Sequence, residues 1–203
     1  MTTASECHPI IIVGSGLAGY SLVRELRKQN ADVSILLVTA DDGASYSKPM
    51  LSTGFGKGKD ASGLVQASHE SMAEQFNLQL LPHTWVIALN PQARQVQLDS
   101  GLESYWQSYS KLVLAWGAEV VPLHLAGNGS NAVYSINDLD DYRAFRIALT
   151  GAERVAIMGA GLIGCEFAND LRLGGYQVEV VAPSVTVMPT LMPEQASCAL
   201  QNE

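Results

Sequence analysis

Cysteine, charge and aromatic side chains are all scarce in this chain, and no apolar run is long. Cys7, Cys165 and Cys198 are the only cysteines in 203 residues. They are odd in number, far apart and form no C-x-x-C pair, which excludes a disulfide framework and a zinc-ligand pattern. The four histidines (His8, His69, His83, His124) are equally scattered. No metal site is expected, and serine, cysteine or metal hydrolase chemistry finds no support. Twelve Lys and Arg stand against twenty Asp and Glu, a net charge of −8. That balance argues against nucleic acid or an acidic membrane surface as a partner. No apolar stretch approaches the roughly 20 residues of a membrane span. The opening MTTASEC is polar and reads as no signal peptide, so the cytoplasm is the expected compartment.

What is present is apolar and glycine-rich. Hydrophobic residues make up 47% and charged residues only 16%, so a substantial core can form. The organising stretch is His8 to Val38, HPIIIVGSGLAGYSLVRELRKQNADVSILLV. Ile10 to Val13 run without alternation into Gly14, as suits a strand buried on both faces of a parallel sheet. Gly14, Gly16 and Gly19 form G-x-G-x-x-G. The first glycine allows the tight turn, the second leaves room for a pyrophosphate, and the third lets the helix pack closely on the strand. Leu17, Ala18, Leu22, Val23 and Leu26 are expected on the inward face of that helix. Arg24, Glu25, Arg27 and Lys28 are expected outward. Val33 and Ile35 to Val38 make the returning strand.

The same grammar recurs in Glu153 to Ala182, far too long a period for a solenoid. Val155 to Met158 lead into Gly159, Gly161 and Gly164, a helix follows over about Leu162 to Leu173, and Val178, Val180 and Val181 supply the second strand. Two such strand–turn–helix units point to two dinucleotide sites. Cys165 lies inside the second helix and reads as a small packing residue.

After the first unit, Thr39 closes the second strand where an acid would grip a ribose. Asp41 or Asp42 is placed to reach the adenosine ribose instead. Tyr46, Lys48 and Pro49 fall where a loop crosses the carboxyl ends of the strands, the ligand side of such a sheet. Gly54, Gly56 and Gly58, with Lys57 and Lys59, read as a flexible exposed loop. A short helix is expected over His69–Phe76, then strands over Thr84–Asn90 and Arg94–Asp99, with Asn90 to Ala93 as their turn. A strand over Lys111–Trp116 returns to the main sheet, completing a small antiparallel meander. Asn137 is placed to cap a helix ending near Gly151, and Pro193–Glu203 reads as a last helix. The fold class is therefore α/β: two Rossmann-like units, each a parallel sheet with a crossover helix, plus the meander.

In order along the chain, GSGLAG, SYSKPMLSTGF, LVLAWGAE, SINDLDDYRAF and GAGLIGCEFANDL resemble the flavin-dependent pyridine-nucleotide reductases. The resemblance covers essentially the whole chain. It implies that residues 1–152 are the N-terminal part of a FAD-binding domain, and 153–203 the first βαβ unit of an incomplete NAD-binding domain. By that resemblance Gly14, Ser15, Gly16, Leu17, Ala18 and Gly19 hold the FAD pyrophosphate, with Asp41 toward the ribose. Lys48 and Pro49 lie by the isoalloxazine, and the Val86 backbone meets the adenine. Ala115, Trp116 and Gly117 lie beside the FAD. Gly159, Gly161, Leu162, Ile163, Gly164 and Glu166 line the NAD side, with Glu166 close to the nicotinamide. Lys48 and Glu166 are the implied catalytic pair.

The chain departs from the family in places. Many relatives have threonine where Trp116 stands and lysine in the place of Thr53. Ala182 closes the second strand of the NAD unit and no arginine follows to receive a 2′-phosphate, which mildly prefers NADH over NADPH. The implied reaction takes a hydride from NADH and passes electrons singly to rubredoxin or another small iron-containing carrier, feeding alkane hydroxylation. A ferredoxin reductase component of an oxygenase system is the alternative enzyme. A truncated, non-catalytic FAD/NAD-binding remnant is the alternative outside catalysis. Similar reductases continue well past residue 203, so these residues alone are expected to be poorly active. Disulfide reduction is disfavoured because no cysteine pair lies in 41–59, where flavin-facing thiols would sit.

Overall fold

The computed structural model describes residues 8–121, 123 and 125–201. The segment 1–7 with Cys7, His124, and the last two residues of the expected C-terminal helix lie outside the described residues. In chain order the elements are β1 (Ile10–Val13), α1 (Leu17–Gln29), β2 (Ile35–Val38), β3 (Ser45–Tyr46), a 3₁₀ segment (Lys48–Thr53), α2 (Ala61–Leu64), β4 (Val65–Ala67) and α3 (His69–Gln75). There follow β5 (Gln79–Leu81), β6 (Trp85–Asn90), β7 (Gln95–Asp99), β8 (Ser104–Ser108), β9 (Lys111–Leu114), a 3₁₀ turn (Ser130–Ala132), α4 (Leu139–Ala148), β10 (Arg154–Met158), α5 (Leu162–Leu173), β11 (Gln177–Val181) and α6 (Glu194–Gln201). They form two compact units. The first takes the described residues through Tyr46 plus Val65–Glu119, and the second takes Ser47–Leu64 plus those from Val120 onward.

The first unit is built on a parallel four-stranded sheet, order β5-β2-β1-β9. β1 pairs with β2, Ile10 opposite Ile35 through Val13 opposite Val38, and on its other side with β9. Both faces of β1 are covered, which is why its apolar run does not alternate. Ile11 and Val13 pack on Val96, Leu98 and Tyr109, on the meander side. Ile12 points the other way, among Tyr20 and Val23 of α1 and Met72 of α3. The meander is the antiparallel sheet β6-β7-β8.

Several boundaries differ from the sequence expectations. β9 stops at Leu114, two residues short of Trp116, because the chain leaves the ladder once Ala115 N has donated to Val13 O. β7 begins at Gln95, since Arg94 takes a positive φ of 52° to close the turn. The short strands β5 and β8 carry too few alternating residues to stand out. Leu17 and Ala18 are exposed, not inward. The buried face of α1 is Gly19, Tyr20 and the expected Val23, with the expected Leu22 and Leu26 partly buried against the same core. Arg27 does not point simply into solvent. It donates to the carbonyls of Val33, Phe76 and Asn77, tying the end of α1 to the loops around it.

The second unit has a two-stranded parallel sheet, Val155 opposite Val178 and Met158 opposite Val181. Here the stretch expected to be a flexible exposed loop is partly packed. Gly54 is buried, and a Cβ added there would lie 2.2 Å from the Tyr142 hydroxyl. Phe55 meets Tyr142, Phe145 and Tyr176 edge-on, with ring centroids 5.4–6.2 Å apart, and Arg146 lies 4.0 Å over its face. Only Gly56 to Lys59 stay exposed. The cap of α4 is Asp138 rather than Asn137. Its carboxylate accepts from Asp141 N, while Asn137 N donates back to Asp141 Oδ2. The helix ends at Ala148, ahead of Gly151.

Candidate nucleotide-binding loops

Both glycine turns follow from strands that end by handing the chain directly to a helix. In the first unit Gly14 N donates to Val38 O at 2.8 Å, continuing the β1–β2 ladder by one bond. Gly14 then takes φ +109°, which only glycine tolerates readily. A Cβ on it would fall 2.3 Å from Ala115 O and 2.9 Å from Trp116 Cα. The turn and the Ala115–Trp116 backbone are therefore in van der Waals contact. A Cβ on Gly19 would fall 1.9 Å from Gly14 O, so the first turn of α1 lies hard against the strand end. Gly16 has open space on its Cβ side. Val86 packs on the same core cluster as Val13, and a register shift between Val86 and Ala88 interrupts the β6–β7 ladder there.

Behind this turn sits a polar knot. Ser15 is buried, and its hydroxyl lies 3.0 Å from Thr39 Oγ1 and 3.0 Å from Asp41 Oδ1. Asp41 Oδ1 also accepts from Thr39 Oγ1 at 2.6 Å and from Gly43 N at 2.9 Å. Thr39, at the place expected to hold an acid, thus takes part by binding the acid two residues on. Asp42 is turned to its own loop, accepting from Ala44 N. Tyr20 donates to Gly43 O. Burial pushes its phenol pKa well above the ordinary tyrosine value, and the neighbouring Asp41 and Asp42 charges raise it further.

The second turn repeats this backbone. Gly159 N donates to Val181 O at 2.8 Å, Gly159 has φ +110°, and a Cβ on Gly164 would fall 2.1 Å from Gly159 O. Leu162 and Ile163 are exposed at the mouth of α5, like Leu17 and Ala18 on α1. Cys165 is half-buried, its Sγ 3.6 Å from Ala160 O, and burial raises its thiol pKa. It is a packing residue. Sequence reasoning missed Met188, whose backbone N, in a positive-φ conformation, donates to Ala160 O at 2.7 Å beside the turn.

Neither α1 nor α5 has a side-chain cap or an acidic residue in its first turn. α3 and α4 have both: Ser68 and Asp138 cap them, with Glu70 or Asp140 and Asp141 following. The first N–H groups of a helix need partners and carry positive potential. Two helices satisfy their own starts, while the two behind glycine turns leave theirs for an anion. That arrangement fits the pyrophosphate of a dinucleotide.

Lys48 and Glu166 both belong to the second unit, and the structure does not pair them. The exposed Lys48 Nζ donates to Asn137 Oδ1 at 3.2 Å. Glu166 Oε2 accepts instead from Ser52 Oγ at 2.9 Å. One turn further along α5, the buried Asp170 accepts from Phe55 N at 3.0 Å and Gly56 N at 2.8 Å. Ser52 and Asp170 are thus neighbours that the motif reading did not single out, and Asn137 was expected only as a helix cap. The run NDL after Glu166 was the only hint. A cavity of about 560 Å³ lined by Arg146, Glu153, Gly175 and Gln177 opens at the start of β11, away from the Gly159 end of the strands. No cluster of metal-ligating side chains occurs among the described residues.

With these parts in place, the class the fold defines is that of α/β proteins with dinucleotide-binding glycine turns. Residues 8–203 match the pyridine nucleotide-disulphide oxidoreductase family, and the chain belongs to it. It is 48% identical over 194 residues to a rubredoxin-NAD(+) reductase of Alcanivorax borkumensis, covering 95% of this chain and 50% of that protein. It is 44% identical to the corresponding protein of Acinetobacter baylyi, covering 96% and 50%. Among solved structures, a ferredoxin reductase from Rhodopseudomonas palustris superposes with a TM-score of 0.80 at 26% identity, over 96% of this chain and 47% of that one. The chain spans about half the length of the curated relatives it matches.

Proposed function

We propose that this chain is the nucleotide-binding half of a FAD-dependent NADH oxidoreductase delivering electrons singly to rubredoxin, as a supply for alkane hydroxylation. The observation that carries the reading is the pair of uncapped helix starts behind glycine turns, one per unit. The names of the relatives at 44–48% identity favour rubredoxin as the acceptor. The first turn would take FAD, with Gly14 to Gly19 around the pyrophosphate and Asp41 toward the ribose. Val86 would serve the adenine, Ala115 to Gly117 would flank the cofactor, and Lys48 with Pro49 would lie by the ring. The second turn would take NAD(H) through Gly159, Gly161, Leu162, Ile163 and Gly164, with Glu166 at the nicotinamide. The domain boundary at 152–153 belongs to this proposal, as does a cytoplasmic site of action. The structural support for the latter is that no described helix is long and apolar enough to cross a membrane.

FAD supplies the chemistry of accepting two electrons from NADH and releasing them one at a time, which a one-electron iron carrier requires. The protein's part is positional. Helix starts bind phosphate, the Ser15–Thr39–Asp41 knot holds the first turn in shape, and the Lys48 ammonium supplies positive charge that favours an electron-rich ring.

The test is NADH oxidation by the FAD-loaded protein with purified acceptors. Rubredoxin is expected to be reduced faster than ferredoxin, and equal rates would remove the specific claim. Residues 1–203 alone are expected to retain FAD weakly after desalting and to oxidise NADH slowly. Stoichiometric flavin and turnover matching the A. borkumensis relative would contradict that expectation.

A further inference from the structure

The second unit holds a contact that the glycine turns do not account for. Ser52 is buried in the 3₁₀ segment, and its hydroxyl has two acceptors within reach: Pro49 O at 3.0 Å and Glu166 Oε2 at 2.9 Å. A hydroxyl carries one proton, and a carboxylate is the stronger acceptor. Ser52 cannot easily withdraw, because Asp170 anchors the adjoining Phe55 and Gly56 through two backbone N–H groups. Glu166 and Asp170 lie four residues apart, on one face of α5. The face therefore makes two attachments to the segment, of different kinds. The buried carboxylate fixes the backbone, while the exposed one is itself held by a side chain.

We propose that Ser52 is a positioning residue that holds Glu166 by one carboxylate oxygen, Oε2, leaving Oε1 as the acceptor for the carboxamide N–H of nicotinamide. The inference rests on the reading above that places Glu166 on the nicotinamide side. A long glutamate side chain free to sample its rotamers loses conformational entropy whenever it binds. Held by Ser52, it has lost that freedom before the ligand arrives. The ligand class is a nicotinamide dinucleotide with its amide intact. The adenine–ribose–phosphate portion gains nothing from this contact.

The experiment uses the whole chain with FAD in excess and measures binding by calorimetry. The ligands are tetrahydro-NADH, which keeps the amide but cannot donate hydride, and ADP-ribose, which has no nicotinamide. Ser52→Ala is expected to weaken tetrahydro-NADH about fivefold and leave ADP-ribose unchanged. Ser52→Thr, which keeps the hydroxyl, is expected to restore binding. In a Glu166→Ala background, Ser52→Ala is expected to change nothing further. Unchanged tetrahydro-NADH binding by Ser52→Ala overturns the proposal. So does an equal loss of ADP-ribose, which would mean a merely structural role, or independent multiplying losses in the double variant. If Glu166→Ala alone fails to discriminate the two ligands, or the unaltered chain binds neither, the underlying nicotinamide-side reading falls, and the proposal with it.

Discussion

The two glycine turns share the backbone conformation of their first glycine yet live in different surroundings. Gly14 and Gly159 have φ of +109° and +110°. The third glycine of each motif approaches the first to within a carbonyl's contact. Around Gly14 the strand β1 is flanked on both sides, and Ile11 and Ile12 are fully buried. Around Gly159 the sheet has two strands, and Met158 is half exposed. A Cβ on Gly14 strikes Ala115, whereas one on Gly159 meets nothing within 4 Å. The turn is thus a local property of its six residues, while its rigidity comes from whatever strand lies beyond.

The sharpest way to break this comparison is to add the same methyl to both. Gly14→Ala carries positive-φ strain plus a backbone clash and is expected to cost more than Gly159→Ala, which carries the strain alone. The difference should be about 1–3 kcal/mol in urea melts of the two variants. Equal losses would mean that the Ala115 contact relaxes freely and that the neighbouring strand contributes nothing.

The next comparison removes the carboxylate that organises each unit. Asp170→Ala leaves the Phe55 and Gly56 N–H groups without their acceptor and should cost about 1–3 kcal/mol. Asp41→Ala strips the acceptor from Ser15, Thr39 and Gly43, but on a partly exposed loop, and is expected to cost less. Thermal unfolding of both variants orders them, and a larger loss at Asp41 would invert the comparison.

Alkaline titration separates the units by their tyrosines. Burial raises the pKa of Tyr20 in the first unit and of Tyr142 in the second, with Arg146 pulling the latter back down. In the unfolded chain both titrate near the ordinary value of 10.0. Their contribution to stability is therefore complete below that pH and is lost as pH rises from there through the folded values. Ultraviolet tyrosinate absorbance should rise for Tyr142 before Tyr20, and a Tyr20→Phe variant that left the alkaline midpoint unmoved would contradict this.

The mildest effect is kinetic and lies within the second unit. Burial raises the Cys165 thiol pKa, and exposed Cys198 should react with iodoacetamide severalfold faster near pH 8. Peptide mapping after short exposure reads the ratio.

The turns were legible in the sequence because their requirements are local: a missing Cβ, an apolar run, a helix of fixed period. Strand pairing followed from the same runs, since an unalternating IIIV has nowhere to go but a doubly covered position. The polar knot was half legible. Asp41 stood out as an acid near the strand end, but its bonds to Ser15 and Thr39 depend on the fold. The segment 54–59 was the least legible part. Three glycines and two lysines read as a mobile loop, whereas Gly54 is there because Tyr142, far along the chain, leaves no room for a side chain. Asp170 was not singled out, because its partners are backbone groups that no side-chain pattern encodes.

The attachment of Phe55 and Gly56 to Asp170 also bears on recombination. A chimera that exchanged the second nucleotide unit as a cassette cut at residue 153 would import a new α5 beneath the old 47–64 segment. The incoming helix would need a carboxylate at position 170 and a partner for Ser52 at position 166, or the segment would lose both its attachments to α5. Two separated stretches of the gene are thus inherited as one part, and a functional swap of cofactor preference has to move them together.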